Sequence, residues 1–167
     1  NHVTIPKVFS LNGYNTSTLG KIYHGVPPKG EFDKVGTKAP LPNRFPDEKL
    51  VKTPQNHKLV DWGIWPPKDS DQQDYKTADW AVNELSQKPK DPFFMAVGFF
   101  RPHVPLYASQ EWFDLYPEES LILPPIRRDD RRDTPRFSWY LHWLLPEPRL
   151  KFLDENKQLQ NKVRSYL

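Results

Sequence analysis

Hydrophobic positions gather in short blocks along this chain, each with its own period, separated by polar and proline-rich stretches. The longest unbroken apolar run is FFMAVGFF at 93–100, between Pro92 and Pro102. A short, aromatic-rich run of this kind predicts a strand buried on both faces, as in a parallel or mixed sheet covered by helices. Residues 14–19 carry β-branched Thr16 and Thr18 and predict a second strand ending at Gly20-Lys21. Ala78, Ala81, Val82 and Leu85 recur at i, i+3, i+4 and i+7, which predicts a helix over 74–87. A helix feeding the 93–100 strand is half of a βαβ unit.

Punctuation residues predict the shorter elements. Thr4 can cap a helix over 4–12, Pro6 suits its first turn, Gly13 suits its stop, and Ile5, Val8 and Phe9 form its apolar face. Ser109 and Pro117 bracket a short helix over 109–116. Residues 121–123 read as extended, 139–145 as a helix or turn packed on the body, and 159–167 as the start of a helix. Residues 26–73 carry eight prolines and are expected to be irregular, with Phe32, Phe45, Trp62 and Trp65 as buried anchors.

Composition narrows the class. The 167 residues suffice for one domain with a core, and no apolar run reaches the roughly 20 residues that cross a bilayer. No signal-peptide pattern opens the sequence, which starts at Asn1 rather than Met. Twenty-four basic and 21 acidic residues give a net charge of +3, too even to argue for nucleic acid. The absence of cysteine excludes disulfides and thiolate metal sites. Nineteen prolines against seven glycines point to ordered irregular segments rather than flexible linker.

Candidate chemistry collects where the strands end. Ligands of open α/β sheets bind beyond the carboxyl ends of the strands. Arg101 and His103 follow one such end, with His103 stiffened between Pro102 and Val104-Pro105. Lys21 and His24, in LGKIYHG, follow the other. Fixed cations stabilise charge on the non-bridging oxygens of sulfate or phosphate esters, and an imidazole can protonate a leaving alkoxide. Each residue also has a plain reading: a solvated lysine, locally bonded histidines, an arginine salt-bridged to a carboxylate.

Asp129-Asp130 would suit a hard cation, but arginines at 127, 128, 131 and 132 surround the pair and disfavour one. Phe137, Trp139, Tyr140 and Trp143 read as packing rather than a sugar platform. No Walker loop, GxGxxG, HExxH or GxSxG occurs.

Four segments resemble the sulfatases, in particular the iduronate-2-sulfatase-like and choline-sulfatase-like bacterial branch. They are TIPKVFSLNGYNTSTLGKIYHG (4–25), DYKTADWAVNEL (74–85), DPFFMAVGFFRPHVPLYASQEWFDLYP (91–117) and VRSYL (163–167). The resemblance implies an alkaline-phosphatase-like α/β/α sandwich with a mostly parallel sheet, incomplete here. It implies hydrolysis of sulfate esters by a formylglycine made in a C/S-x-P-S-R motif, with a calcium ion held by Asp, His or Asn. Lys21 then looks like the lysine that contacts the sulfate and the formylglycine. His24 looks like its neighbouring histidine, and His103 like the histidine that binds sulfate and protonates the leaving oxygen. Arg101 would add to substrate binding.

The C/S-x-P-S-R motif and the calcium-binding segments do not occur in this sequence. The expectation is therefore an internal piece, 1–167, of a sulfatase catalytic domain. It would contribute the sulfate-binding and leaving-group side, with Lys21, His24 and His103 converging on one cavity. The substrate would be a sulfated small molecule or carbohydrate, and the parent proteins are periplasmic or secreted. Two alternatives stay open: a phosphodiester or phosphonate hydrolase of the same superfamily, and a non-catalytic anion- or carbohydrate-binding remnant.

Overall fold

The computed structural model describes residues 2–37, 45–127, 129–143 and 145–167. In chain order its elements are α1 (Ile5–Leu11), β1 (Asn15–Gly20), β2 (Lys34–Val35), β3 (Trp62–Ile64), α2 (Gln73–Ser86), β4 (Phe93–Gly98), β5 (Leu106–Ala108), α3 (Gln110–Asp114), α4 (Arg136–Trp143), α5 (Leu150–Glu155) and α6 (Leu159–Arg164). Single 3-10 turns stand at Asp69–Asp71 and Glu118–Ser120. The chain divides into two compact units: Asn1–Pro42 with Asp69–Arg101, and Asn43–Lys68 with Pro102–Leu167.

In the first unit β1 lies between β2 and β4 and runs parallel to both. The β1–β4 register pairs Asn15 with Phe93 and Gly20 with Gly98, so the two strands begin and end together. Parallel neighbours require a crossover, and α2, packed on β1 and β4, supplies it. Helix α1 covers β1 through Phe9, whose ring stacks on Phe94 at 4.5 Å and meets Tyr14 edge-on at 5.0 Å. Much of this interior is threonine. Thr18 donates to the Ala96 carbonyl at 2.9 Å, Thr77 to the Gln73 carbonyl at 3.0 Å, and Thr16 to Asp33 at 2.8 Å. Buried hydroxyls thus keep partners, as burial demands.

The second unit is built on the parallel pair β3–β5. Its apolar cluster is Val51, Val60, Trp62, Leu106 and Leu153, with Val104, Phe152 and Leu159 against it. Asp61 sits within, 1% exposed. Its carboxylate accepts from the amides of Leu50 (3.0 Å), Val51 (2.8 Å) and Trp62 (3.1 Å) and from the Tyr107 hydroxyl (2.6 Å). A buried carboxylate with four donors ties the 50–51 bend, β3 and β5 to one point.

Several sequence expectations change. The segment 26–73 is not wholly irregular: it holds β2, β3 and a 3-10 turn, strands too short to show a period. Phe32 and Trp62 are buried as anchors, whereas Phe45 and Trp65 are only partly so. The strand at 93–100 stops at Gly98 and is not buried on both faces: it has one partner among the described residues, and Phe93 is exposed. On α2 the buried residue is Thr77, while Val82 and Leu85 face solvent. Ile5 and Val8 are likewise exposed; α1 buries Pro6, and Phe9 makes its ring contacts. On α4, Phe137 and Tyr140 are exposed rather than packed on the body. Pro40, Pro42, Arg128 and the Trp143 side chain lie outside the described residues.

Candidate functional site

The carboxyl ends of β1 and β4 are pressed together closely enough to require glycine on both strands. Gly20 has φ +90°, and a Cβ there would stand 1.9 Å from the Gly98 carbonyl oxygen. A Cβ on Gly98 would stand 2.2 Å from the Lys21 carbonyl oxygen. The Lys21 amide donates to the Gly98 carbonyl at 2.8 Å, so the ladder runs one residue past the strand. Lys21 therefore leaves the sheet at the edge where α/β ligands bind. Its Nζ lies 4.7 Å from the centre of the Phe100 ring, a cation–π contact that keeps the ammonium near the exit of β4. His24 follows three residues on in the same loop and is exposed.

Asp74, expected from the sequence only as a helix start, fixes the exit of β4. From the first turn of α2 its carboxylate accepts the Phe100 amide at 2.8 and 3.0 Å and the Arg101 amide at 2.8 Å. An acid in a helix's first turn is favourably placed against the helix dipole. The Phe100 backbone is thus pinned, and with it the ring beneath Lys21. The Arg101 guanidinium reaches Gln72 Oε1 at 3.4 Å. An acid opening the helix that feeds an apolar strand was the available signal.

The Lys21–His24 loop is tied from its other side. The Tyr23 hydroxyl donates to Glu31 at 3.1 Å, and the Thr4 hydroxyl donates to the same Glu31 oxygen. Desolvation and then the Glu31 carboxylate raise the Tyr23 phenol above its usual 10.0. Asp33 accepts from the Thr16 amide and hydroxyl, each at 2.8 Å, and from Ser10 at 3.4 Å. Those bonds, the Thr16 amide first, hold Asp33 below the usual 3.8.

Lys21, His24 and Arg101 belong to the first unit, and His103 belongs to the second. His103 is exposed, with Nδ1 2.8 Å from the Val104 carbonyl oxygen. A cleft of about 470 Å³ in the second unit is lined by residues including Trp62, Phe152, Asn156 and Gln158, and His103 is not among them. Asp129 and Asp130 are exposed, with Arg127 Nε 3.7 Å from Asp129. No group of three or more His, Cys, Asp or Glu that could hold a metal ion occurs among the described residues. No helix among them is long and apolar enough to cross a membrane.

The sulfatase family model matches residues 1–143, which include all four candidate residues. The chain belongs to the sulfatase family. Among curated relatives, a sulfatase of Formosa agariphila is 33% identical over 99% of this chain and 34% of its own length. The iduronate 2-sulfatase of Mus musculus is 30% identical over 75% of this chain and 25% of its own length. The arylsulfatase of Clostridium perfringens is 26% identical over 72% of this chain and 31% of its own. The chain thus spans about a third or less of the sulfatases it matches. Its parallel strands and crossover helix are those of an incomplete sulfatase α/β fold.

Proposed function

We propose that this chain supplies the sulfate-binding and leaving-group side of a sulfuric ester hydrolase, within a single catalytic domain of which 1–167 is part. The observation that carries the reading is Lys21 at the joined carboxyl ends of β1 and β4, with His24 in the same loop. Lys21 places a compact positive charge against the non-bridging sulfate oxygens. His24 donates to the same group, and Arg101 adds a cation beside it. His103 serves the ester oxygen. Its imidazole, in the protonated form, hands a proton to the departing alkoxide.

The nucleophile, a formylglycine in this reading, and the calcium ligands come from segments other than this one. The described residues do not fit a calcium ion. Asp129 and Asp130 are exposed and share a shallow cleft with Asp133 and with Arg127 and Arg132, whose guanidinium charges oppose a cation, and no metal-holding group of three or more acidic or imidazole side chains occurs among the described residues. The substrate is a sulfated small molecule or a sulfated carbohydrate, and nucleic acid is not a partner.

Titration of the purified chain with a sulfated sugar tests the proposal, beside an assay with a chromogenic aryl sulfate. Binding lost in Lys21→Ala and in His103→Ala, with no turnover of the aryl sulfate, is the expected result. Binding indifferent to both substitutions would place the anion elsewhere and end the reading.

A further inference from the structure

A side-chain hydrogen bond ties the loop that carries Lys21 and His24 to the body of its unit, at a point between the two residues. Tyr23 donates its hydroxyl to Glu31 at 3.1 Å. Glu31 is only 9% exposed, so its carboxylate is a fixed acceptor rather than a mobile surface charge. It is held from the other side by the Thr4 hydroxyl, at the start of α1. The chain then passes to Asp33, which is locked to β1 through the Thr16 amide and hydroxyl, while the Asp33 amide donates back to Thr16 Oγ1 at 3.0 Å. Glu31 is therefore anchored to α1 directly and to β1 through its near neighbour in sequence.

The rest of the loop has little to hold it. Residues 21–26 form only bends, and the Gly25 amide donates to the Tyr23 carbonyl at 2.9 Å, within the loop itself. Gly25 takes φ +133° with nothing within 4 Å of where a Cβ would be. Lys21 is held by its bond to Gly98 and its contact with the Phe100 ring; past Lys21, the side-chain tether at Tyr23 relates the loop's path to the body. Releasing it would leave Lys21 held at the sheet edge and His24 free to swing.

We propose that Glu31 and Tyr23 act as one positioning pair, which sets the Lys21–His24 loop for a sulfate group and touches no substrate itself. This rests on the anion role of Lys21 and His24 proposed above. The pair is pre-organisation: the loop's order is established before the anion arrives, so binding does not have to supply it.

The test is inorganic sulfate titrated into the 167-residue chain, followed by the NMR signals of the Lys21 side chain and the His24 ring, with melting curves on the same samples. Tyr23→Phe removes one hydroxyl, and Glu31→Gln removes the charge with little change of shape. Each is expected to weaken sulfate binding about fivefold, and the double variant no more than either single one. Tyr107→Phe, in the second unit, takes one donor from the buried Asp61 and leaves Glu31 untouched. It is expected to lower the melting temperature and leave sulfate affinity unchanged, which separates positioning from general support. Lys21→Ala is expected to lose binding.

If Tyr23→Phe and Glu31→Gln bind sulfate like the parent chain while Lys21→Ala does not, the positioning pair is refuted and the anion site stands. Additive losses in the double variant would also refute the pair. If Lys21→Ala binds normally, or the parent chain gives no saturable response, the anion reading itself fails and the pair with it. Should Glu31→Gln not fold, Tyr23→Phe against Tyr107→Phe decides the matter.

Discussion

Gly98→Ala adds a single methyl group, and the structure says where it goes. The new Cβ would sit 2.2 Å from the Lys21 carbonyl oxygen, 2.4 Å from its carbon and 2.8 Å from its nitrogen. All three atoms are backbone, so no side chain can rotate away. Restoring a separation of 3.0 Å from the oxygen needs a movement of about 0.8 Å. Lys21 cannot move that far and keep its 2.8 Å bond to the Gly98 carbonyl. Overpacking costs about 1–3 kcal/mol, and the lost bond about 1 kcal/mol. Removing glycine from the unfolded chain returns about 0.4–1 kcal/mol. The net destabilisation is about 2 kcal/mol, or about 4–8 °C in melting temperature for a chain of this size. Gly30→Ala is the control: φ there is +77° with no atom within 4 Å, so only backbone strain of about 1 kcal/mol is expected. Thermal melts by circular dichroism of both variants beside the parent decide it. Gly98→Ala melting within 1 °C of the parent, or Gly30→Ala proving the more damaging, would refute the claim that close backbone approach builds this strand exit.

Three further outcomes follow from particular bonds. Asp74→Ala removes the acceptor for the Phe100 and Arg101 amides, so both should exchange hydrogen faster, with a loss of about 2–3 kcal/mol; Asp74→Asn should keep part of the protection. Unchanged exchange at Phe100 would show that the exit of β4 does not depend on Asp74. Asp33 has a native pKa below its usual 3.8, so its contribution to stability is complete above 3.8 and is lost as pH falls from there through the lower native value. Asp33→Asn should therefore flatten the decline of stability below pH 3.8, and an unaltered acid limb would contradict the assignment. In the second unit, Tyr107→Phe removes one of four donors from the buried Asp61 carboxylate and should cost about 1.5–3 kcal/mol in urea unfolding. A loss under 0.5 kcal/mol would mean that Asp61 does not organise β3 and β5 as described.

How much of this was readable in the sequence depends on whether the signal was local. Helices α1 and α2 and strands β1 and β4 announced themselves through caps, spacing and the run at 93–100, and their bounds shifted by one or two residues. Strands β3 and β5 did not, because three residues cannot display a period and their pairing joins Trp62 to Leu106 across more than forty positions. Burial was misjudged where apolar content stood in for contact. Val82 and Leu85 obey the helical spacing and are exposed, while Thr77 is buried because its hydroxyl is satisfied within the helix. At the candidate site the residues with distinctive chemistry, Lys21 and His24, were found by their place after a strand. Asp74 and Glu31 were missed, since each acts through bonds to residues 26 and eight positions away. Such partners have no local pattern to betray them.

A crystal structure of the chain grown with inorganic sulfate decides whether Lys21 and His24 hold the anion. The account predicts a sulfate at the carboxyl ends of β1 and β4, with Lys21 Nζ and a ring nitrogen of His24 both within about 3 Å of its oxygens. Sulfate bound instead at the exposed Arg127 and Arg132, with none at Lys21, would contradict it.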